Sequence, residues 1–198
     1  MGFLQTSNAG PSEVTWPEDG PEDGLVWAEL TWVPEADGSL VQTVSHGFVV
    51  TREQLEQVGE GPPKRIALDQ PGAEVPRKVG DVIEEHVQLV NPKDRHFVAV
   101  LVPLAAGMEP MNPNLATAPA EARPSGSLTR APDYAAYLDD HVAFFYETLP
   151  KGTYDFYFRT RAAFEGSFVQ PPARAEMMYD GAVYGHSSGA RVAVERGE

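Results

Sequence analysis

Cysteine is absent from all 198 residues, which excludes disulfides, thiolate nucleophiles and cysteine-ligated zinc together and leaves the redox compartment open. Positive charge is scarce: 15 Lys and Arg face 29 Asp and Glu, for a formal charge of -14. Phosphate backbones and anionic membrane surfaces require a clustered basic face, so neither nucleic acid nor such a membrane is an expected partner. Long apolar runs are also missing. Met1-Gly2-Phe3-Leu4-Gln5-Thr6 has no basic leader and no sustained apolar stretch, so no signal peptide, transmembrane helix or direct membrane insertion is read there.

Glycine and proline number 18 each, which favours a loop-rich β protein, and the length suits one large or two small domains. Residues 1–24 carry Glu13, Glu18, Asp19, Glu22 and Asp23 without Lys or Arg and read as an acidic tail or linker. Residues 25–44 begin with the β-rich run Leu25 to Val33, followed by turn residues Glu35 to Ser39. This run is expected to be a strand, either of a preceding β domain or of the start of a sandwich filling 45–198. A second strand spans about Val41 to Glu53, broken near Gly47, and Leu55 to Pro63 is a connection. In Val82 to Val90, Ile83, Val87 and Leu89 alternate with Glu84, His86 and Gln88, which predicts a half-exposed strand. Phe97 to Val102 is apolar on both faces and predicts a central, covered strand.

Asn112 to Pro132 is the longest structureless stretch, and Asp133 to Leu138 is expected to form one or two helical turns capped by Asp133. His141 to Thr148 and Tyr154 to Ala163 read as a hairpin turning at Lys151-Gly152. The last strand is Ala190 to Glu195. Between it and the hairpin lies Gly166 to Tyr179, expected to be a crossover. Pro171 and Pro172 lack amide donors, so they must sit at an edge or outside the sheet. Seven to nine strands in this spacing predict an all-β, antiparallel β-sandwich with one long loop and at most a short helix.

Catalytic and metal chemistry find little support. His46, His86, His96, His141 and His186 lie on separate predicted elements without an i, i+4 ligand pair. His96 is expected to be a strand residue with a satisfied hydrogen bond, and His186 a surface turn residue. Asp139-Asp140-His141 could orient an imidazole, but the nearby serines have no nucleophile-elbow context, and spaced calcium ligands are absent. No catalytic, cofactor or metal residue is therefore assigned. Among the aromatics, Phe144, Phe156 and Phe158 are expected in the core, while Tyr157, Arg159 and Arg161 share the opposite face and form a candidate docking surface. Met177, Met178 and Tyr179 follow the two prolines; the expected role of the segment is a cover over the sandwich interior, with Phe168 on one side and Met178 or Tyr179 on the other. Met177 and Tyr179 are also docking candidates.

Several stretches taken in order resemble one family: Asp94-Arg95-His96-Phe97-Val98, Pro103 to Pro113 with its Gly107-Met108-Glu109-Pro110-Met111-Asn112, Leu149-Pro150-Lys151-Gly152-Thr153-Tyr154, Arg161-Ala162, Gly166 to Tyr179 and, more loosely, Ser45 to Arg52. These are similar to the C-terminal macroglobulin-like domain of bacterial alpha-2-macroglobulins, over about three-quarters of the chain. His141 stands where that family usually has a basic residue, and Gly181 where it often has Pro. The resemblance implies a macroglobulin/fibronectin-III-like sandwich without catalysis of its own, in a periplasmic or cell-envelope protein that traps proteases. It also implies docking on other domains of a parent chain, including a thioester domain whose bond it helps to shield, with target proteases met through the parent. The family's Cys-x-Glu-Gln thioester has no counterpart here, since cysteine is absent. On this reading Met1 begins a C-terminal fragment and Glu198 lies at or near the true end. The rival reading is a free-standing β-sandwich that binds carbohydrate or peptidoglycan through its aromatics.

Overall fold

A computed structural model describes residues 40–56 and 62–197; the tail expected at 1–24 and the strand expected at Leu25 to Val33 lie outside them. In chain order the strands are β1 Val44–His46, β2 Val49–Glu56, β3 Lys64–Ala67, β4 Ala73–Lys78, β5 Val82–Asn91, β6 Arg95–Pro103, β7 Met108–Met111, β8 Tyr134–Leu138, β9 His141–Leu149, β10 Gly152–Ala162, β11 Gly166–Gln170, β12 Arg174–Met177, β13 Asp180–His186 and β14 Ala190–Glu195. They make three sheets, ordered β1-β13-β12-β6-β9-β8, β3-β2-β5-β10-β7 and β11-β14-β4. The ladders are antiparallel apart from β14 with β4. The described residues form the all-β sandwich that their alternating patterns predict.

The reason is clearest in β10, where Tyr154, Phe156, Phe158, Thr160 and Ala162 point inward and are buried while Asp155, Tyr157, Arg159 and Arg161 point outward. Period-two alternation selects one apolar face, and that face must find another sheet. It meets β9 of the six-stranded sheet: the Phe144 ring lies 5.0 Å from Phe156 and 6.5 Å from Phe158. Val50, Val87, Leu89, Val98, Val100 and Val142 fill the same core. The three expected core phenylalanines are all there.

Several expectations are corrected. β9 and β10 are not a hairpin, because they belong to different sheets. The corner between them is held by Asn91 Nδ2, which donates to the carbonyls of Leu149 and Pro150 at 3.0 and 2.9 Å, and by Lys151 N–H donating to Asp94. Asp133 to Leu138 forms no helical turns; β8 starts at Tyr134 and pairs along β9, since an open ladder beside an apolar strand outweighs weak local helix preference. Gly47, at φ 107°, does break the second strand, but β2 then runs on to Glu56 into the stretch read as a connection. β3, β4, β7 and β13 have no counterpart among the expected strands, and the described residues form fourteen strands rather than seven to nine. His186 ends β13, half-buried, with Nδ1 on the Ser187 carbonyl, rather than lying in a surface turn. His96 does bond Thr148 from its strand.

β5 departs furthest from its reading. It is central in its sheet, and Glu84, Glu85 and His86 are as buried as their apolar neighbours. On the core side, Arg52 Nε donates to Glu85 at 2.9 Å and Gln54 Nε2 at 2.8 Å, while Arg77 Nη2 donates to Gln54 at 2.7 Å. Arg52 Nη1 also donates to the Pro103 carbonyl at 2.8 Å and the Pro171 carbonyl at 3.3 Å, and Gln170 shares the Pro103 oxygen. One buried polar cluster thereby joins all three sheets.

Candidate functional site

Gly166 to Tyr179 is two strands rather than a bare crossover, and Pro171-Pro172 lie between β11 and β12, outside both. β12 enters the six-stranded sheet between β13 and β6, and it is Ala173 and Ala175 that are fully buried there. The cover role expected of Met178 and Tyr179 is thereby overturned. They form the two-residue turn between β12 and β13, since Met177 pairs with Asp180, and they are 49% and 79% exposed.

Two-residue hairpin turns usually carry Asn-Gly or Asp-Gly, because the twist-compatible types need positive φ. Met178 and Tyr179 do not take positive φ; Phe97 is the one non-glycine residue that does, among the described residues. The mismatch is absorbed next to the turn, where the register slips between Glu176 and Met177 of β12, paired with Tyr184 and Asp180, so that residues 181–183 of β13 bulge out of the ladder. Phe97 sits directly beneath. Its carbonyl accepts the Met178 N–H at 2.8 Å, and its ring meets Tyr179 edge-on at 5.2 Å. Read as part of a covered strand, Phe97 is in fact 49% exposed with φ 54°, a conformation that costs a bulky residue on the order of 1–2 kcal/mol. No sequence pattern marks such a backbone.

The tip is braced from below. Half-buried Met177 packs on the core, and Arg95 Nη1 contacts its sulfur at 3.4 Å. The same guanidinium donates to the Gly47 carbonyl and to Asn91, both at 3.2 Å, and lies 4.8 Å above the Phe48 ring. A Cβ at Gly47 would fall 2.8 Å from Arg95 Nη2, so the glycine answers to close approach as well as to its φ. Met177 and Tyr179 thus share one site with Met178 and Phe97.

Tyr157, Arg159 and Arg161 do share the outer face of β10, at a separate place. There the 112–132 stretch, with its 3₁₀ turn at Ala120–Ala122, is laid down as a strap. Ser125 N–H and Oγ and Gly126 N–H donate to Glu84 at 2.6, 2.7 and 3.1 Å. Arg159 donates to Glu84 and to the Glu121 carbonyl, and Arg161 pairs with the Glu121 carboxylate. Thr129 N–H donates to the Asp155 carbonyl. Gly126 lies so close to Tyr157 that a Cβ would fall 2.4 Å from its ring, and the ring stacks on His86 at 4.3 Å and 4°. His86 in turn stands between Glu53 at 2.6 Å and Asp155 at 2.9 Å.

These carboxylates make the strap acid-sensitive. Burial alone would raise Glu84, but the bonds from Ser125, Gly126 and Arg159 prevail and hold it below its ordinary 4.5. Burial acts likewise on Asp155, and hydrogen bonds from Gln88, His86 and Thr129 hold it below its ordinary 3.8. A carboxyl lowered on folding stabilises fully above its unfolded value and loses that contribution as pH falls through the folded one. Hydrogen-exchange protection of the Ser125 and Gly126 amides is therefore expected to hold from neutrality to about pH 5 and to collapse below the ordinary carboxylate range. Loss already near pH 6 would contradict the assignment.

Among known proteins, the family model described as the bacterial alpha-2-macroglobulin MG10 domain matches residues 47–181. None of the curated proteins matches. A point mutant of Salmonella alpha-2-macroglobulin superposes with TM-score 0.59 at 20% identity, over 77% of this chain and 9% of its own. The native conformation of Escherichia coli alpha-2-macroglobulin gives 0.61 at 18% identity, over 77% and 10%. An Escherichia coli structure from domain MG7 to the C-terminus gives 0.60 at 17%, over 77% and 24%. The chain thus spans about a tenth of the length of the first two.

Proposed function

The chain belongs to the family of the bacterial alpha-2-macroglobulin MG10 domain, and from this we propose that it is a non-catalytic docking domain of a larger protease-trapping protein of the periplasm or cell envelope. Its partners are the other domains of that protein, among them a thioester domain whose reactive bond it helps to shield; target proteases are met through the parent. Tyr179 at the hairpin apex is the observation that carries this reading. A tyrosine 79% exposed beside an exposed methionine, on a tip braced by Arg95 and by a strained Phe97, has no role in the domain's own core. Apolar anchors on rigid supports are what interfaces use. Met177 fixes the base of the tip, and the face of Tyr157, Arg159 and Arg161 contributes through the strap that it holds.

Met178→Asp and Tyr179→Ala are accordingly expected to leave the melting temperature of this chain within about 2 °C of the wild type, because neither side chain is buried. In the parent protein each should raise the rate at which methylamine consumes the thioester by about tenfold or more, the scale of losing one interface anchor. Thiol titration against time measures it. Unchanged aminolysis with unchanged melting would overturn the docking role of the tip, and a large fall in melting temperature would reinstate it as a cover.

A further inference from the structure

The six-stranded sheet ends at β8, which pairs with β9 alone among the described residues. Every second backbone N–H and C=O of such a strand points away from its neighbour, and proteins guard these groups with Pro, charge, bulges or extreme shortness. Among the described residues, four of the five other sheet edges are guarded: β1 is only three residues long, β7 carries Pro110, β4 carries Pro76 with Arg77 and Lys78, and β3 carries Lys64 and Arg65. β11, at the edge of the three-stranded sheet, is like β8 without charge or proline. β8 reads Tyr-Ala-Ala-Tyr-Leu, without charge or proline, and its ladder runs unbroken over five pairs. It is an unguarded template.

Beside it, between the β8 and β7 edges, opens a cleft of about 610 Å³. Met108 and Tyr137 form part of its wall, Leu115 and Phe164 stand at 58% and 60% exposure, and its charged lining is Glu109 and Asp139. Lys and Arg are absent from that lining among the described residues. The geometry points to an extended segment of a partner protein, alternating apolar and basic residues, that adds to β8 as a further strand. Its backbone completes the ladder, the apolar side chains of one face enter the cleft against Leu115 and Phe164, and the long Lys or Arg side chains at its ends reach the exposed carboxylates of Glu109 and Asp139. A second copy is not the occupant, because self-pairing of a chain carrying -14 would set these carboxylates against one another.

The test titrates the full chain, amide-labelled for NMR, with capped peptides of about seven residues: Val alternating with Lys, the same with Glu for Lys, and the Lys peptide N-methylated at alternate amides. The Lys peptide is expected to shift and protect the amides of residues 134–138 and to bind at least about tenfold more tightly than its Glu counterpart, with affinity falling as salt rises. N-methylation should abolish binding, and Asp139→Lys, a change in an exposed turn, should narrow or reverse the preference. The proposal is overturned if the Lys peptide does not bind at millimolar concentration, if Lys and Glu peptides bind equally, if the N-methylated peptide still binds, or if sedimentation shows a dimer closed through β8.

Discussion

Phe156→Ala is expected to lower the stability of this chain by about 3–5 kcal/mol, the range for removing a fully enclosed aromatic ring from a core that cannot collapse around the void. The ring is 1% exposed and touches both partners of an aromatic trio, with Phe144 at 5.0 Å and Tyr146 edge-on at 6.3 Å. Because those partners belong to the six-stranded sheet and Phe156 to the five-stranded one, the void opens at the sheet-to-sheet contact itself. Arg159→Ala, three residues along on the opposite face, is the comparison. It removes the bonds to Glu84 and to the Glu121 carbonyl at a partly exposed position, for about 1 kcal/mol. Urea denaturation of the two variants decides the matter. Equal midpoints would mean that β10 turns its other face to the core.

Residues that repeat with a simple period were legible in the sequence; residues whose role depends on a distant partner were not. β10 and β14 alternate cleanly, so their faces could be assigned from one stretch of chain. The corner after β9 could not, because a Pro-Lys-Gly turn between two apolar runs looks the same whether the runs pair or part. What parts them is Asn91, 58 residues from Leu149, anchoring the carbonyls of the corner. The hairpin tip was only partly visible: Met177, Met178 and Tyr179 drew attention as apolar residues after two prolines, but whether they turn inward depends on β12 finding β6 and β13. Phe97 was misassigned for the same reason. Its exposure follows from one backbone angle that an apolar run does not encode.

The polar residues of β5 misled most, since a buried carboxylate contradicts the rule that charge marks the solvent side. The rule yields when each charge finds partners, and Glu85 finds them in Arg52 and Gln54, on a neighbouring strand 31 to 33 residues away.

Glu85→Leu is accordingly expected to cost about 3–5 kcal/mol even though it replaces a charge with a core-compatible side chain, because it leaves the Arg52 guanidinium enclosed without its counter-charge. Arg52→Leu should cost a similar amount: it strands the Glu85 carboxylate and removes the donor that the Pro103 and Pro171 carbonyls share. If the pair acts as a unit, the double variant should cost less than the two singles together by about 2 kcal/mol, a coupling within the range for neighbouring charges. It should still fall short of wild-type stability, since the Pro103 carbonyl keeps only Gln170 as a side-chain donor and the Pro171 carbonyl keeps a contact at 3.5 Å. That remainder separates two ways in which the cluster could matter. A double variant as stable as the wild type would mean that the ion pair contributes nothing beyond neutralising itself, whereas strict additivity would mean that Arg52 and Glu85 act independently. The expected intermediate result fits a guanidinium that links β2 to β6 and to the β11–β12 connection, so that its loss loosens the junction of all three sheets.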